Sequence, residues 1–411
     1  MSLPQCRFCK SVLEHTFVDL GMFPLSNSYL RQEQLGRMEP FYPLHARVCA
    51  RCFLVQLEQF EAPEGIFSEY AYFSSYSETW LNHAREYAER AVSRFELNGQ
   101  SLVVEIASND GYLLQYFQRK GVPVLGVEPA QNVAMAAEKK GIETIAKFFG
   151  IKTAREIIAA GRQADLIVAN NVLAHVPDLV DFVSALKLLL KPRGSLVIEV
   201  PHLLQLMQGT QFDTIYHEHF SYFSFCTAKE ILQEYGLKVF DVDEIPTHGG
   251  SLRIYACHVE ENSKRIEPRV SEMESRELAA GIRDLAMYAS FAGRVREVKR
   301  ALLEFLIQAK RAGKSIAAYG APAKGNTLLN YCGVGKDFLD YSVDISPHKQ
   351  NLFLPGTHIP IHHPDILRRT RPDYVLILPW NLRDEILSQL AYVREWGGQY
   401  VIPIPTVEII K

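Results

Sequence analysis

Short apolar runs alternate with amphipathic stretches through the middle of the chain, from about residue 71 to 257. The apolar runs lie at residues 101–106, 122–127, 142–145, 165–169, 195–200, 237–242 and 252–257. Helical spacing follows the first two runs, beginning near residues 112 and 132. Apolar strands that are separated by helices predict a parallel sheet with helices on both faces.

The regions on either side of this alternation have different patterns. Residues 1–70 contain four cysteines, several prolines and little helical periodicity, so they predict a small module held together by a metal. Residues 258–313 are charged, with apolar positions at helical spacing, and predict one or two linking helices. Residues 314–411 return to strand–helix alternation, with strands expected at 315–319, 341–343 and 374–378. The whole pattern predicts an α/β protein: a zinc-binding module, a central Rossmann-like domain at 71–257, a helical linker and a C-terminal Rossmann-like domain.

The composition narrows the class of protein. A chain of 411 residues is too long for one ordinary core, and its 47% hydrophobic and 22% charged residues are typical of globular proteins. The net charge of −3 gives no global electrostatic reason to bind nucleic acid. The chain has no apolar run long enough to span a membrane, and its N-terminus has no signal-peptide pattern. We therefore expect a cytoplasmic protein whose seven cysteines are metal ligands or free thiols.

Four of these cysteines form two CxxC pairs: Cys6 with Cys9, and Cys49 with Cys52. Each pair can place two thiolates on one metal, and two pairs complete a closed tetrahedral site of the kind that binds structural zinc. The alternative is four unconnected thiols. The remaining cysteines are isolated and are expected to be buried small side chains: Cys226, Cys257 and Cys332.

The first strand of the central domain ends in the turn E-I-A-S-N-D-G at residues 105–111. Doubly wound sheets bind nucleotides at this position, outside the carboxyl ends of their strands. The turn has one glycine, whereas a pyrophosphate needs the close approach that G-x-G-x-x-G allows. S-adenosylmethionine has no phosphate, so the turn favours this cofactor, with contacts expected from Glu105, Ala107, Asn109 and Gly111.

Two later strand ends add polar groups beside this turn. Glu128, followed by Pro129, ends the second strand, and its carboxylate can accept hydrogen bonds from both ribose hydroxyls. Asn170 and Asn171 end the fourth strand and are expected to reach the methionine part of the cofactor. A lone acidic residue at a strand end is usually a solvated charge, but the order of these groups favours S-adenosylmethionine.

The segment Y-H-E-H-F-S-Y at 216–222 concentrates acid–base groups. A helical turn would place Tyr216 and His219 on one face, whereas an extended segment would pair Tyr216 with Glu218. In either arrangement the segment supplies an imidazole, a carboxylate and a phenol. A metal site at His217 and His219 is an alternative, although no third ligand has a convincing spacing.

Two further residues could join this cluster. His175 follows the fourth strand near the same rim of the sheet, and Tyr76 lies in a segment rich in phenols and hydroxyls at 72–77. Each has an ordinary alternative, because single histidines are often structural hydrogen-bonding groups and tyrosines near domain junctions often pack. Together with the segment at 216–222 they favour a catalytic site.

These motifs give the chain a clear resemblance. It resembles the sugar C-methyltransferases that act on nucleotide-linked 4-keto-deoxy sugars, essentially from end to end. The shared motifs are the paired CxxC module, F-S-S-Y at 73–76, the turn at 105–111, Y-H-E-H-F-S-Y-F at 216–223 and Y-G-A-P-A-K-G-N-T-L-L-N at 319–330. Many proteins share the first of these motifs, whereas the last two are much more specific.

The resemblance implies a reaction at C3 of a 4-keto-6-deoxy hexose. The C4 ketone acidifies the C3 proton, a base removes it, and the enolate carbon takes the methyl group of S-adenosylmethionine. The resemblance implies that His219 is the base and that Tyr216 and Glu218 hold the base or the sugar. It also implies that Tyr76 and His175 position the sugar or stabilise the enolate oxygen.

The resemblance also implies a site for the rest of the substrate, a sugar linked to dTDP or GDP. Tyr222 is expected to contact the substrate, and Lys324, Gly325, Asn326 and Thr327 would hold its diphosphate at a helix N-terminus. A plain strand–helix turn is the alternative for that loop. In the segment at 348–356, Asn351 replaces a glycine that is usual in the family, and asparagine tolerates a positive φ.

Other classes of protein fit the sequence less well. A zinc-containing methyltransferase of RNA or protein would predict a basic stripe with interleaved aromatic residues, which the sequence lacks. A dehydrogenase would need G-x-G-x-x-G in the C-terminal unit, and a non-catalytic sugar-binding module would not need the acid–base cluster. We therefore expect a small-molecule substrate, no nucleic-acid or membrane partner, and a monomer or weak homo-oligomer.

Overall fold

The computed structural model describes residues 3–62, 65, 74–76 and 78–411, without the side chains of residues 76, 78 and 79. The described strands are β1 (His15–Phe23), β2 (Tyr42–Val48), β3 (Val55–Leu57), β4 (Val103–Ile106), β5 (Val124–Val127), β6 (Thr144–Ile145), β7 (Ala164–Asn170), β8 (Leu190–Pro201), β9 (Ser221–Tyr222), β10 (Leu237–Ile245), β11 (Ser251–His258), β12 (Ile316–Tyr319), β13 (Ser342–Val343), β14 (Ile361–His362), β15 (Tyr374–Ile377), β16 (Gln399–Ile402) and β17 (Glu408–Ile410).

The described helices are α1 (Glu78–Arg94), α2 (Leu114–Arg119), α3 (Gln131–Lys139), α4 (Ile151–Ala159), α5 (Leu179–Leu189), α6 (Leu203–Gln208), α7 (Phe225–Glu234), α8 (Pro268–Ala279), α9 (Leu285–Arg311), α10 (Ala323–Cys332), α11 (Ile366–Thr370) and α12 (Arg383–Gln389). Short 3-10 turns lie at Gln32–Gln34, Ser74–Tyr76, Leu173–His175, Phe212–Thr214, Thr247–Gly249, Trp380–Leu382 and Ala391–Trp396. Of the helices in these ranges, none combines the length and apolar character needed to cross a bilayer.

The central sheet has the strand order β10-β11-β8-β7-β4-β5-β6. Strands β4 to β8 are parallel, as the sequence predicts, and apolar clusters pack on both faces. The last two strands differ from the prediction, because β11 runs antiparallel to both β8 and β10. Gly249 and Gly250, with φ of 88° and 115°, reverse the chain between β10 and β11. A tight turn of this kind joins antiparallel neighbours, whereas parallel strands need a long crossover.

The N-terminal sheet joins the first module to the predicted catalytic segment. Its order is β1-β2-β3-β9, all antiparallel. Strand β9 lies inside the segment at 216–222, and its Tyr222 pairs with Val55 of β3. The position of that segment therefore depends on the fold of the N-terminal module.

The C-terminal sheet has the order β14-β13-β12-β15-β16-β17, parallel except for β17. The long helix α9 connects it to the N-terminal module, where Phe291 stacks on Phe17 of β1 with ring centroids 4.5 Å apart. The loop after β1 also contacts the C-terminal domain, since Glu39 accepts hydrogen bonds from the Gly356 amide. Asn351 has a φ of 65°, the conformation expected where it replaces glycine.

Candidate active site

The four cysteines of the CxxC pairs come together at the end of the N-terminal sheet. Their sulfur atoms all lie within 4.8 Å of one another, with 3.5 Å between Cys6 and Cys52 and 3.4 Å between Cys9 and Cys49. Tetrahedral zinc with Zn–S bonds of about 2.3 Å separates its sulfur ligands by about 3.8 Å, so this donor set fits the metal. Four protein ligands leave no open coordination position, which is the arrangement of a structural site.

The local backbone explains why each CxxC pair converges. The backbone N–H of the residue after each pair donates a hydrogen bond to the carbonyl oxygen of the first cysteine. Lys10 N donates to Cys6 O at 3.1 Å, and Phe53 N donates to Cys49 O at 3.0 Å. Lys10 and Phe53 have φ of 61° and 59°, so each turn closes tightly on itself. The Gln56 amide also donates to the Cys6 sulfur at 3.2 Å, which orients that ligand.

The turn at 105–111 has an unusual backbone. Ala107, Asn109 and Gly111 all have positive φ, of 56°, 49° and 74°. Non-glycine residues rarely adopt this conformation, and such strain is concentrated at functional sites. The neighbouring strand needs glycine as well, because a Cβ on Gly126 would lie 2.5 Å from the Ser108 hydroxyl oxygen. We call this turn, at the carboxyl ends of β4 and β5, the cradle.

The carboxylate of Glu128 fixes this cradle from the end of β5. One oxygen accepts from Asn109 N at 3.0 Å and the other from Ala130 N at 2.9 Å. Burial raises the pKa of Glu128, and the two backbone hydrogen bonds oppose that rise. Each carboxylate oxygen still has a lone pair for a ligand hydroxyl. Pro129, half-buried, continues the chain toward α3.

Polar groups with unmet hydrogen-bonding capacity lie beside the cradle. Among the described residues, the side-chain oxygens of Asn170 and Asn171 are buried without a hydrogen-bond partner. Glu105 is 1% exposed, and burial raises the pKa of its carboxyl well above its ordinary value, opposed by a hydrogen bond from Tyr112. Buried polar atoms without partners are uncommon in folded proteins, so this group suits a bound polar ligand.

Tyr216 and His219 form a hydrogen-bonded pair on one tight turn, as the helical-turn alternative predicts. The turn closes through His219 N and Tyr216 O, and the Tyr216 hydroxyl lies 2.8 Å from His219 Nε2. His219 Nδ1 lies 3.1 Å from the Thr214 carbonyl oxygen, which can only accept. Nδ1 therefore donates its proton to Thr214, and the lone pair on Nε2 accepts from Tyr216.

His175 completes a pair of neutral imidazoles. Its ring centroid lies 4.6 Å from that of His219, and its Nδ1 donates to the Glu218 carbonyl oxygen at 2.8 Å. Burial lowers the pKa of His175 to about 4. Burial also lowers the pKa of His219 well below its ordinary value, and the nearby His175 adds to this effect. Both rings are therefore uncharged near neutral pH.

The two residues between Tyr216 and His219 have partners in the N-terminal module. The Glu218 carboxylate, 2% exposed, accepts from the side-chain amide of Asn27 at 2.7 Å, in the N-terminal module. The His217 ring lies 3.2 Å from the Pro43 carbonyl and packs edge-on against Tyr42. In the described part of the chain the Cys quartet is the one metal-compatible group of histidine, cysteine and acidic side chains, so His217 and His219 offer no second metal site.

The loop that opens α10 packs against the same segment. Lys324 donates to the Asn381 side-chain oxygen at 2.7 Å. Asn326 donates to the Ser26 carbonyl oxygen, and the Thr327 hydroxyl donates to the Ile215 carbonyl oxygen at 3.1 Å.

The Asn326 side-chain NH₂ and the Thr327 hydroxyl thus join parts of the fold, whereas Asn326 Oδ1 is buried without a hydrogen-bond partner in the ranges that the structure describes. Both residues are buried. Gly325 is also buried, and a Cβ at this position would lie 2.9 Å from the Leu378 side chain. Of these four residues Lys324 carries the one charged group, and its ammonium lies 4.7 Å from the centre of the Trp380 ring. Tyr222 lies nearby, with its ring centroid 6.0 Å from that of His219. The Tyr76 side chain lies outside the described residues.

Sequence reasoning did not place His248 or Asp213 in this site. His248 has a φ of 56° in the turn between β10 and β11, and its ring lies edge-on to Trp80 at 5.4 Å. Trp80 in turn stacks on Tyr112, beside the cofactor turn. Burial lowers the pKa of His248 to about 4, helped by the charge of Lys324. The T-H-G-G pattern at 247–250 was the available hint, because a non-glycine residue in a glycine turn often has a special role.

The buried histidines predict a pH-dependent stability. His175 has an ordinary pKa near 6.5 when unfolded and about 4 when folded, so its neutral form favours the folded state. This contribution is complete above about pH 6.5 and is lost as the pH falls toward 4. We expect the free energy of unfolding in urea to fall less steeply with pH in His175→Gln than in the natural protein over this range. The two slopes should differ by up to about 1.4 kcal/mol per pH unit. Equal slopes for the two proteins would rule out a buried, neutral His175.

Comparison with known proteins assigns the chain to a family. Residues 6–67 match a zinc binding domain, residues 80–242 a methyltransferase domain, and residues 246–405 the "C-methyltransferase C-terminal domain". The C-methyltransferase NovU of Streptomyces niveus is 35% identical over 409 residues, covering 100% of this chain and 97% of that protein. This chain belongs to the C-methyltransferase family. The family and the α/β fold class expected from the sequence are thus confirmed.

Other methyltransferases are similar to part of the chain. A ubiquinone biosynthesis O-methyltransferase of Dinoroseobacter shibae is 34% identical over 96 residues, covering 22% of this chain and 38% of that protein. The magnesium protoporphyrin IX methyltransferase of Synechocystis, solved with bound S-adenosylmethionine, covers 43% of this chain and 79% of its own, at 15% identity and a TM-score of 0.34. The C-methyltransferase depends on S-adenosylmethionine and has a zinc-binding Cys quartet, as the sequence predicts.

Proposed function

We propose that this C-methyltransferase acts on C3 of a nucleotide-diphosphate-linked 4-keto-6-deoxy hexose. The observation that carries the proposal is the Tyr216–His219 pair, which holds an uncharged imidazole with its Nε2 lone pair toward the phenol. Methylation at carbon needs a base, because the carbon becomes a nucleophile only after it loses a proton. A neutral imidazole is suited to that step near pH 7.

His219 would take the C3 proton on Nε2. The C3–H electron pair then forms the C3–C4 double bond, and the C4 carbonyl oxygen becomes an enolate oxygen. His219 becomes an imidazolium whose Nδ1 proton is already directed at the Thr214 carbonyl oxygen. This hydrogen bond stabilises the new positive charge. Tyr216, which bonds Nε2 in this structure, would turn its hydroxyl toward the sugar when Nε2 takes the proton.

The cofactor supplies the methyl group that the C3 carbon takes. We propose that Glu128 accepts hydrogen bonds from its ribose hydroxyls and that Asn170, Asn171 and Glu105 accept from its methionine ammonium. Backbone groups of the turn, at Ala107, Asn109 and Gly111, would line the rest of the cradle, with Pro129 beside the ribose. The buried amide oxygens without partners support these roles.

We predict that Glu128→Gln weakens S-adenosylmethionine binding about 10- to 100-fold. A hydrogen bond to a charged acceptor contributes about 1.5–3 kcal/mol, and the substitution replaces one acceptor oxygen with a donor. Isothermal titration calorimetry measures the effect directly. Glu143→Gln is the matched control, since that carboxylate is 59% exposed and pairs with Arg162. Unchanged affinity in Glu128→Gln would remove Glu128 from the ribose site.

The remaining roles concern the sugar nucleotide. We propose that His175, Tyr222 and Tyr76 contact the sugar, and that Glu218 shapes its pocket from the Asn27 side. The nucleotide, thymidine or guanosine diphosphate, would lie toward the C-terminal domain. Because the side chains of Asn326 and Thr327 already bond within the protein, we do not assign the diphosphate to them.

The test is methyl transfer from labelled S-adenosylmethionine to a panel of keto sugar nucleotides, with RNA as the alternative acceptor. We expect a stable sugar product that gains one carbon-bound methyl group. Label in RNA or protein with none in any sugar would favour the alternative, a zinc-containing RNA or protein methyltransferase. We expect the protein to act as a monomer or weak homo-oligomer.

A further inference from the structure

The Lys324 ammonium has hydrogen-bonding capacity that the protein does not use. It lies in the first turn of α10, donates one hydrogen bond to Asn381 at 2.7 Å and lies 4.7 Å from the centre of the Trp380 ring. An ammonium has three N–H donors. Among the described residues Asn381 is the one hydrogen-bond acceptor for this group, so two donors are uncommitted.

Three contacts bring this lysine against the strip of chain that carries the base. Trp380, whose ring lies next to the ammonium, donates its indole N–H to Asp213 at 2.7 Å. Thr327, one helical turn after Lys324, bonds the carbonyl of Ile215. Thr214, between those two residues, accepts the Nδ1 proton of His219. The ammonium is thus linked through Trp380 to Asp213, and the imidazole is bonded to Thr214, the next residue of the same segment.

The electrostatics agree with a position of Lys324 near these groups. Burial is the main cause of the lowered pKa of His248, and the positive charge of Lys324 adds to it. Burial is also the main cause of the lowered pKa of His219, where the Lys324 charge contributes less than His175 and His248. Burial raises the pKa of Asp213 to about 6, and Lys324 opposes this rise. Burial lowers the pKa of Lys324 itself, opposed by Asp213. A cation that influences several buried groups acts through a medium of low dielectric, where its field is strong.

We propose that Lys324 is a catalytic residue that donates a hydrogen bond to the C4 oxygen of the keto sugar and stabilises it as an enolate. This inference rests on the proposed function. As the C3–H bond breaks and its electron pair enters the C3–C4 bond, the carbonyl π electrons move to oxygen beside the ammonium. Lys324 keeps its proton. The C3–C4 π electrons then form the bond to the methyl group and the ketone reforms, while the electrons of the broken S–CH₃ bond stay on the sulfur of S-adenosylhomocysteine.

This role fits the surroundings better than the diphosphate contact expected from the sequence. A diphosphate usually gathers several donors, including backbone amides and hydroxyls at a helix N-terminus. Here the side chains that would accompany Lys324 are already bonded to Ser26 and Ile215. A single cation that is positioned by Asn381 and Trp380 and has donors to spare is instead suited to stabilise a developing oxyanion.

The test separates enolate formation from nucleotide binding. The protein with S-adenosylhomocysteine is placed in D₂O with a thymidine-diphosphate-linked 4-keto-6-deoxy hexose, and exchange of the C3 proton is followed by NMR. Removing one oxyanion donor costs about 100- to 1,000-fold, so Lys324→Met should slow exchange by that factor. Its dissociation constant for thymidine diphosphate should stay within about threefold of the natural value. Lys336→Met, which removes an exposed lysine, is the control.

Two outcomes would overturn the inference. Exchange in Lys324→Met that stays within about threefold of the natural rate would remove the lysine from the enolate step. Weakening of thymidine diphosphate binding by about tenfold or more, with normal exchange at saturation, would assign the lysine to the diphosphate. If Lys324→Met does not fold, Asn381→Leu serves instead, because it keeps the ammonium but removes its anchor and should slow exchange about tenfold. An absence of C3 exchange in the natural protein would instead count against the proposed function.

Discussion

Replacing His219 by asparagine is expected to reduce methyl transfer at least about a thousandfold, with S-adenosylmethionine affinity unchanged within about threefold. Asparagine can keep the hydrogen bond to the Thr214 carbonyl, but it has no basic atom to receive the C3 proton. The turn at residues 105–111, where we propose that the cofactor binds, is built on separate strand ends, so cofactor binding should not depend on the imidazole. Single-turnover methyl transfer and calorimetric titration of the cofactor measure the two quantities separately.

His217→Asn is the matched control for this experiment. It removes an imidazole two residues away that contacts the Pro43 carbonyl and Tyr42 on the N-terminal sheet. We expect it to lower the melting temperature and to keep methyl transfer within about fivefold. Comparable losses in the two variants would show that the His219 effect reflects damage to the fold, and near-normal turnover of His219→Asn would exclude it as the base.

The second large effect is expected on removal of zinc. Structural zinc contributes about 10–16 kcal/mol of binding free energy in small zinc domains, so chelation or Cys52→Ser should unfold the N-terminal module. That module forms the sheet in which β3 pairs with β9, and it provides the Asn27 amide that bonds Glu218. We therefore expect methyl transfer to fall at least about 100-fold, although the metal takes no part in the chemistry.

The control for zinc removal is Cys257→Ala, which removes a buried thiol from β11, outside the cluster. It should retain one zinc per chain and most of its activity. Metal analysis, circular dichroism and methyl transfer are measured on both variants after dialysis against a chelator. A zinc-free protein with full activity would contradict the structural dependence of the catalytic segment on the module.

The features that the sequence predicted well depend on local patterns. The parallel strands β4 to β8 follow from short apolar runs that alternate with amphipathic stretches. The Cys quartet follows from spacing alone, because two CxxC turns can converge on one metal whatever lies between them. The positive φ at Asn351 follows from the same local reasoning, since asparagine tolerates the conformation that glycine supplies.

The features that the sequence did not predict depend on long-range packing. Glu218 lies one residue from His219, yet its partner is Asn27, 191 positions away. His248 reaches the site because β10 and β11 form an antiparallel hairpin, which the apolar pattern of those strands did not distinguish from a parallel pair. Asp213 and Trp380 meet across two domains. Local propensity cannot specify such pairs, because they are set only when sheets and helices pack.

The fate of the C3 hydrogen shows whether C3 is deprotonated before it is methylated. A 4-keto-6-deoxy hexose nucleotide deuterated at C3 is incubated with the protein and S-adenosylmethionine, and the product is examined by NMR and mass spectrometry. If His219 deprotonates C3 before methyl transfer, the product carries its new methyl on C3 and no deuterium there. A methylated sugar that keeps deuterium at C3 would contradict this account.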